Sequence, residues 1–107
     1  MNVLRHPNTT NIHTHGLHVS SMAPGDDPFQ IIAPGSELTS HFQIPAYHMG
    51  GTHWYHPHHH GSTALQTGGG AHGIIIVCAR RHAHQLLRDE AAVLRGVAVW
   101  VAIEEQS

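Results

Sequence analysis

Apolar and polar positions alternate along parts of this chain and cluster in others. Leu38, Phe42 and Ile44 fall at even spacing, with Glu37, Thr39, His41 and Gln43 between them and small Ser40 on the apolar side. Period two predicts a half-buried strand there. A strand is also predicted over Asn11 to Val19, where Ile12, Thr14 and Val19 favour extended backbone. Gly50-Gly51 opens a further strand, Thr52 to His56. Gly73 to Cys78 is an uninterrupted apolar run, the pattern of a strand covered on both faces. Loop chemistry separates these segments: Pro24, Gly25, Asp26, Asp27 and Pro28, then Pro34-Gly35, then Gly68 to Gly70 as a flexible turn. In the tail, Leu87, Ala91 and Leu94 recur at i, i+4 and i+7, which predicts a short amphipathic helix over His82 to Arg95, stopped by Gly96. Val97 to Ile103 returns to strand composition. Short strands, frequent turns and one C-terminal helix predict an all-β, antiparallel sandwich or small barrel.

A length of 107 residues allows one domain with a modest core. Only 11% of residues are charged and none is lysine, with a formal net charge of −2. No basic patch exists to hold nucleic acid or an anionic membrane. No apolar run approaches the roughly 18 residues of a membrane helix. Met1 to Pro7 has no apolar stretch of the kind a secretory signal needs. Cys78 is the single cysteine, so an intrachain disulfide and a cysteine-rich zinc site are both excluded.

Histidine is the outlier, at 14 residues. His-x-His pairs occur at 13/15, 56/58, 58/60 and 82/84. Chance alone gives about two such pairs at this composition, so context carries more than spacing. On a strand, His13 and His15 point to one face, as do His56 and His58 if the chain stays extended through Pro57. Two such strands side by side would gather four imidazoles. Imidazole suits copper, zinc, iron and nickel, and copper(II) holds it most tightly. Other metal signatures fail by residue. Leu17 stands where H-x-H-x-D-H needs aspartate, no glutamate follows the pairs at cupin spacing, and H-E-x-x-H is absent.

The segment HTHGLHVS resembles the first copper motif of the multicopper oxidases, H-x-H-G. GTHWYHPHHHGSTALQ, followed by GIIIV, resembles their second. The order matches, as does the intervening PG-S-x-L…F-x-I-P strand. The resemblance covers about residues 8–77 and joins two motifs with their spacing. It implies a cupredoxin-like Greek-key β-sandwich of the family's N-terminal, plastocyanin-like kind. The whole chain, 1–107, then reads as a single partial domain with a divergent tail over 78–107. Carried over by residue, His13 would bind a type 2 copper, His15 and His56 would share one copper of a type 3 pair, and His58 would bind the other. An acid near the type 2 copper supplies protons in the family, and Asp26 or Asp27 is the candidate. In the intact enzyme, one-electron oxidation of a substrate is coupled to reduction of dioxygen to water. The family's compartment is periplasmic or extracellular.

The family's cluster takes eight histidines, and these motifs supply four. The partners implied are copper, dioxygen and a C-terminal cupredoxin domain or partner subunit carrying the rest. A type 1 copper needs cysteine flanked by histidine ligands. Cys78 lies between Val77 and Ala79, which reads as a small apolar residue. The short lead before the first motif and the loosely matching tail suggest a truncated or frame-shifted chain. The competing function is a small non-catalytic copper or zinc buffer or carrier, which the spare histidines favour. Of these, His18, His59 and His60 read as solvated or outer-layer groups. His6, His41, His48, His53, His82 and His84 read as surface residues. Trp54 and Tyr55 read as packing aromatics. Gly16, Gly51 and Gly61 read as points of close backbone approach. Met22 and Met49, both in loops, could meet copper(I).

Overall fold

The computed structural model of the chain describes residues 7–78 and 98–102. Its elements in chain order are β1 (His13–His15), β2 (Gly51–His56), α1 (Thr63–Gly68), β3 (Gly73–Cys78) and β4 (Ala98–Ala102). The four strands form one sheet in the order β1-β2-β3-β4. β2 is antiparallel to both β1 and β3, and β4 runs parallel to β3. The chain is therefore all-β, and its sheet with one short helix has the composition of a cupredoxin-like β-sandwich. The helix predicted over His82 to Arg95 lies outside the described residues.

The apolar run at β3 becomes a central strand, as its composition requires. Ile75, Ile76 and Val77 are the buried hydrophobic residues among those described, with Ile76 at 2% and Val77 at 1% exposure. Tyr55 and Gly73 are cross-strand partners. A Cβ on Gly73 would sit 2.5 Å from Tyr55 Cζ, so the missing side chain lets the tyrosine ring lie across the strand.

Two strand expectations change. The first predicted strand shrinks to His13–His15, because Gly16 turns the chain out of the ladder at φ +92°. Among the described residues, the segment from Leu38 to Ile44 pairs with no strand. Its backbone is tied by His41 N–H donating to Pro24 O at 2.8 Å. The alternation holds at Phe42 and Ile44, whereas Leu38 is exposed. Phe42 and Ile44 are half-buried and line a cleft of roughly 360 Å³ with Ile12, Thr14, Leu17, Tyr55 and Ile75, while His41 and Gln43 are exposed. Period two encodes a two-faced segment and does not supply a hydrogen-bonding neighbour.

The helix α1 had no signal in the sequence, since six residues are too few to show a period. Its role is to hold the entry to β1. Gln66 Nε2 donates to Pro7 O at 2.8 Å and to Thr9 O at 2.9 Å, and Ser62 Oγ donates to Thr9 O at 2.8 Å.

With so few buried apolar residues, the fold should be sensitive to β3. Ile76→Ala is expected to lower stability by about 2–4 kcal/mol. Urea unfolding followed by far-UV circular dichroism checks this, and an unchanged midpoint contradicts the assignment of β3 as the core strand.

Candidate metal centre

The β1–β2 register pairs His13 with His56, Thr14 with Tyr55 and His15 with Trp54. Strand alternation puts His13, His15, Trp54 and His56 on one face. Thr14 and Tyr55 go to the other, against the apolar cleft. One donor nitrogen from each of His13, His15 and His56 lies within 4.8 Å of the others, the one such group among the described residues. The closest approach is His15 Nδ1 to His56 Nε2, at 3.3 Å. Trp54 is 38% exposed and stacks beside the group, its ring 5.1 Å from that of His15 and 4.2 Å from that of His56. It thus covers one flank, as a packing aromatic should.

His58 borders the group without joining it. Its ring centroid is 5.0 Å from His13 and 5.9 Å from His56, and the residue is exposed. Its backbone is held by a residue with no obvious motif, Asn11. The buried Asn11 amide accepts from His58 N–H at 2.6 Å and donates to Pro28 O at 2.7 Å. A buried asparagine must satisfy both ends, and here it does so by bridging two loops. His60 is exposed and His59 half-buried; His59 gives its carbonyl to Ser62 and Thr63 and so to the start of α1.

The two aspartates separate. Asp26 is buried, and its carboxylate accepts from Thr14 N–H at 2.8 Å and from His13 Nδ1–H, whose nitrogen lies 3.0 Å from Oδ2. It therefore caps an amide of edge strand β1 while fixing a ligand candidate. The loop is shaped for this. Asp26 N–H donates to Ser20 O at 2.8 Å, and a Cβ on neighbouring Gly25 would lie 2.6 Å from that same oxygen. Asp27 turns away, accepting from Phe29 N–H at 2.9 Å.

These contacts settle the tautomers. His13 puts its hydrogen on Nδ1 toward Asp26, leaving the Nε2 lone pair free. His56 puts its hydrogen on Nδ1 toward Pro57 O, at 2.8 Å, leaving Nε2 free. Desolvation by burial is the largest influence on His13 and lowers its pKa below 6.5. Asp26 pulls the other way without winning, and His58 and His56 add to the lowering. The His13–Asp26 contact is thus a hydrogen bond from a neutral ring. A carboxylate behind a ligating histidine holds ring orientation and raises ligand basicity.

The donor set fits a small divalent ion. Zinc–imidazole bonds of about 2.0–2.1 Å put adjacent tetrahedral donors about 3.3–3.4 Å apart, close to the His15–His56 spacing. Three neutral imidazoles suit a borderline ion such as copper(II) or zinc.

The other histidines are less uniform than the composition suggests. His48 and His53, expected on the surface, are buried and half-buried. They pack with His18 beside the turn at Gly16. His41 is exposed as expected, His72 is exposed too, and His6, His82 and His84 lie outside the described residues. Cys78 closes β3, and its side chain also lies outside what is described. No helix among the described residues is long and apolar enough to cross a membrane.

A family model described as multicopper oxidase matches residues 1–99. Multicopper oxidase mco of Staphylococcus haemolyticus is 38% identical over 68 residues, covering 64% of this chain. The proteins of the same name from Staphylococcus aureus and Staphylococcus epidermidis are each 37% identical over the same length. The chain spans 14% of the length of each of these relatives. No solved structure matches it significantly.

Two outcomes are expected. In a histidine-resolved NMR titration of the metal-free chain, His13 stays neutral to a lower pH than 6.5. The unfolded chain takes up that proton first, so this group's contribution to stability is present above 6.5 and is lost as pH falls through the lowered value. A His13 midpoint at or above 6.5 contradicts the assignment. Asp26→Asn keeps an acceptor for Thr14 but loses the charge behind His13; copper(II) affinity should fall about tenfold, while Asp27→Asn leaves it unchanged. Competition against a chromogenic chelator measures both.

Proposed function

Since this chain belongs to the multicopper oxidase family, we propose that His13, His15 and His56, with His58 beside them, are ligands of an oxygen-reducing copper cluster. The observation that carries this reading is the 3.3 Å approach of His15 Nδ1 to His56 Nε2. The family resemblance gives those two residues to one copper of the type 3 pair. His13, fixed from behind by Asp26, is the type 2 ligand, and His58 serves the second type 3 copper. A further four histidines come from a C-terminal cupredoxin domain or a partner subunit. The complete enzyme is then an oxidase that takes single electrons from a reducing substrate and passes them to dioxygen.

Bound copper supplies reversible one-electron redox chemistry and sites for dioxygen. The residues of this chain do the rest. His15 and His56 hold their facing nitrogens 3.3 Å apart from neighbouring strands, His15 Nδ1–H donating to His56 Nε2, so little ordering remains when the metal takes that hydrogen's place. Trp54 shields one flank from water. Asp26 holds His13 in the ligating tautomer, and its burial within hydrogen-bond reach of His13 makes it the candidate for holding a proton near the cluster. Asp27, engaged in its own loop, takes no part.

Calorimetric titration of the chain with copper(II) tests the reading. One to two copper ions are expected per chain, and His15→Ala or His56→Ala should each weaken the first binding step more than about tenfold. His41→Ala, at an exposed position away from the group, should change nothing. A single tight site that survives both substitutions and disappears with His59→Ala and His60→Ala would instead make the chain a metal carrier.

A further inference from the structure

Three histidines that the copper reading leaves unused meet at the exit of β1. His18 follows the turn that ends the strand, His48 comes from the loop before β2, and His53 lies on β2. The His18 and His48 ring centroids are 5.1 Å apart, and those of His48 and His53 are 5.4 Å apart, edge to face. His48 is the most enclosed, at 7% exposure, although it sits in a loop. Its Nε2 accepts from His18 N–H at 3.0 Å, and its Nδ1–H donates to Met49 O at 2.7 Å. Both partners are backbone groups, one able only to donate and the other only to accept. The ring must therefore be the neutral Nδ1–H tautomer.

His53 completes the arrangement from β2. A Cβ on Gly16, at φ +92°, would lie 2.9 Å from His53 Nδ1, so the ring packs directly on the turn that follows His15. Its Nε2 is buried without a hydrogen-bond partner. Burial, then His48 and His18, lower its pKa. Among the described residues, no carboxylate is hydrogen-bonded or ion-paired to any of the three rings. A proton added here meets two other imidazoles and no compensating charge.

We propose that His48 is a positioning residue for the histidine centre, holding segment 16–18 and through it His15 by accepting the His18 amide. Its bond to Met49 O fixes the ring from the other side. The consequence for metal binding rests on the reading of His15 as a copper ligand; the brace itself is a property of the metal-free chain.

The test uses the full chain, with His48→Ala and His48→Gln. Glutamine offers an acceptor oxygen that does not protonate and a donor for Met49 O. In the metal-free wild type, the His18 amide should be protected from hydrogen exchange. His48→Gln should keep that protection, and His48→Ala should lack it, with a shifted His15 ring resonance. At pH 7.5, copper(II) should bind His48→Ala about tenfold more weakly than wild type and His48→Gln within about threefold. The proposal is overturned if His48→Gln binds as weakly as His48→Ala, if His48→Ala binds like wild type, or if the His18 amide is unprotected in the wild type. Should His48→Ala fail to fold, the glutamine variant and the wild-type His18 exchange rate decide. If the wild type binds no copper, the copper reading fails, while the His18 and His15 signals still decide the brace.

Discussion

The site depends on one registration, that of His13 against His56 across two antiparallel strands. Side chains alternate with period two, so this register puts His13, His15 and His56 on a single face and leaves Thr14 and Tyr55 to the apolar side. A slip of one residue would send His13 and His15 into the cleft lined by Phe42, Ile44 and Ile75 and bring Thr14 to the metal face. The apolar side thus protects the polar one. Burying imidazoles without partners is costly, and that cost selects the register that gathers them.

β1 has only three residues and lies at the sheet edge, so it cannot hold this register alone. Polar side chains from distant segments hold it. Asp26 caps the Thr14 amide, Asn11 bridges His58 to the loop at Pro28, and Gln66 and Ser62 tie α1 to residues 7–9. His48 braces the exit. Each is a hydrogen bond worth roughly 1 kcal/mol net, but losing one leaves a buried partner unsatisfied at about 1–3 kcal/mol. Ligand geometry is in this way coupled to loops well removed in sequence.

What was legible in the sequence follows from this division. The His13/His15 pair and the apolar run at Gly73 to Cys78 are local signals that ended on the strands they predicted, whereas His58 falls past the end of β2. Four of five predicted strands in part or whole have counterparts, the exception being the segment around Leu38, where alternation marked a two-faced segment without a partner. Asp26 and Asp27 were indistinguishable as neighbours in a loop; only the Ser20 carbonyl and the tight approach at Gly25 aim the first inward. Asn11 and His48 carried no local signal. Their importance comes from partners 47 and 30 residues away, and a buried polar group looks like a surface one until the fold encloses it.

The central claim is that His13, His15 and His56 form one donor set. Pulsed electron paramagnetic resonance on the chain loaded with one equivalent of copper(II) tests it by counting coordinated imidazoles through their remote nitrogens. Two or three imidazoles are expected, falling by one in His15→Ala and in His56→Ala, with no change when His59 and His60 are both replaced by alanine. A count that is unaltered by the first two substitutions and drops with the last pair would place the copper on the histidine run after β2 and contradict the site built by the strand register.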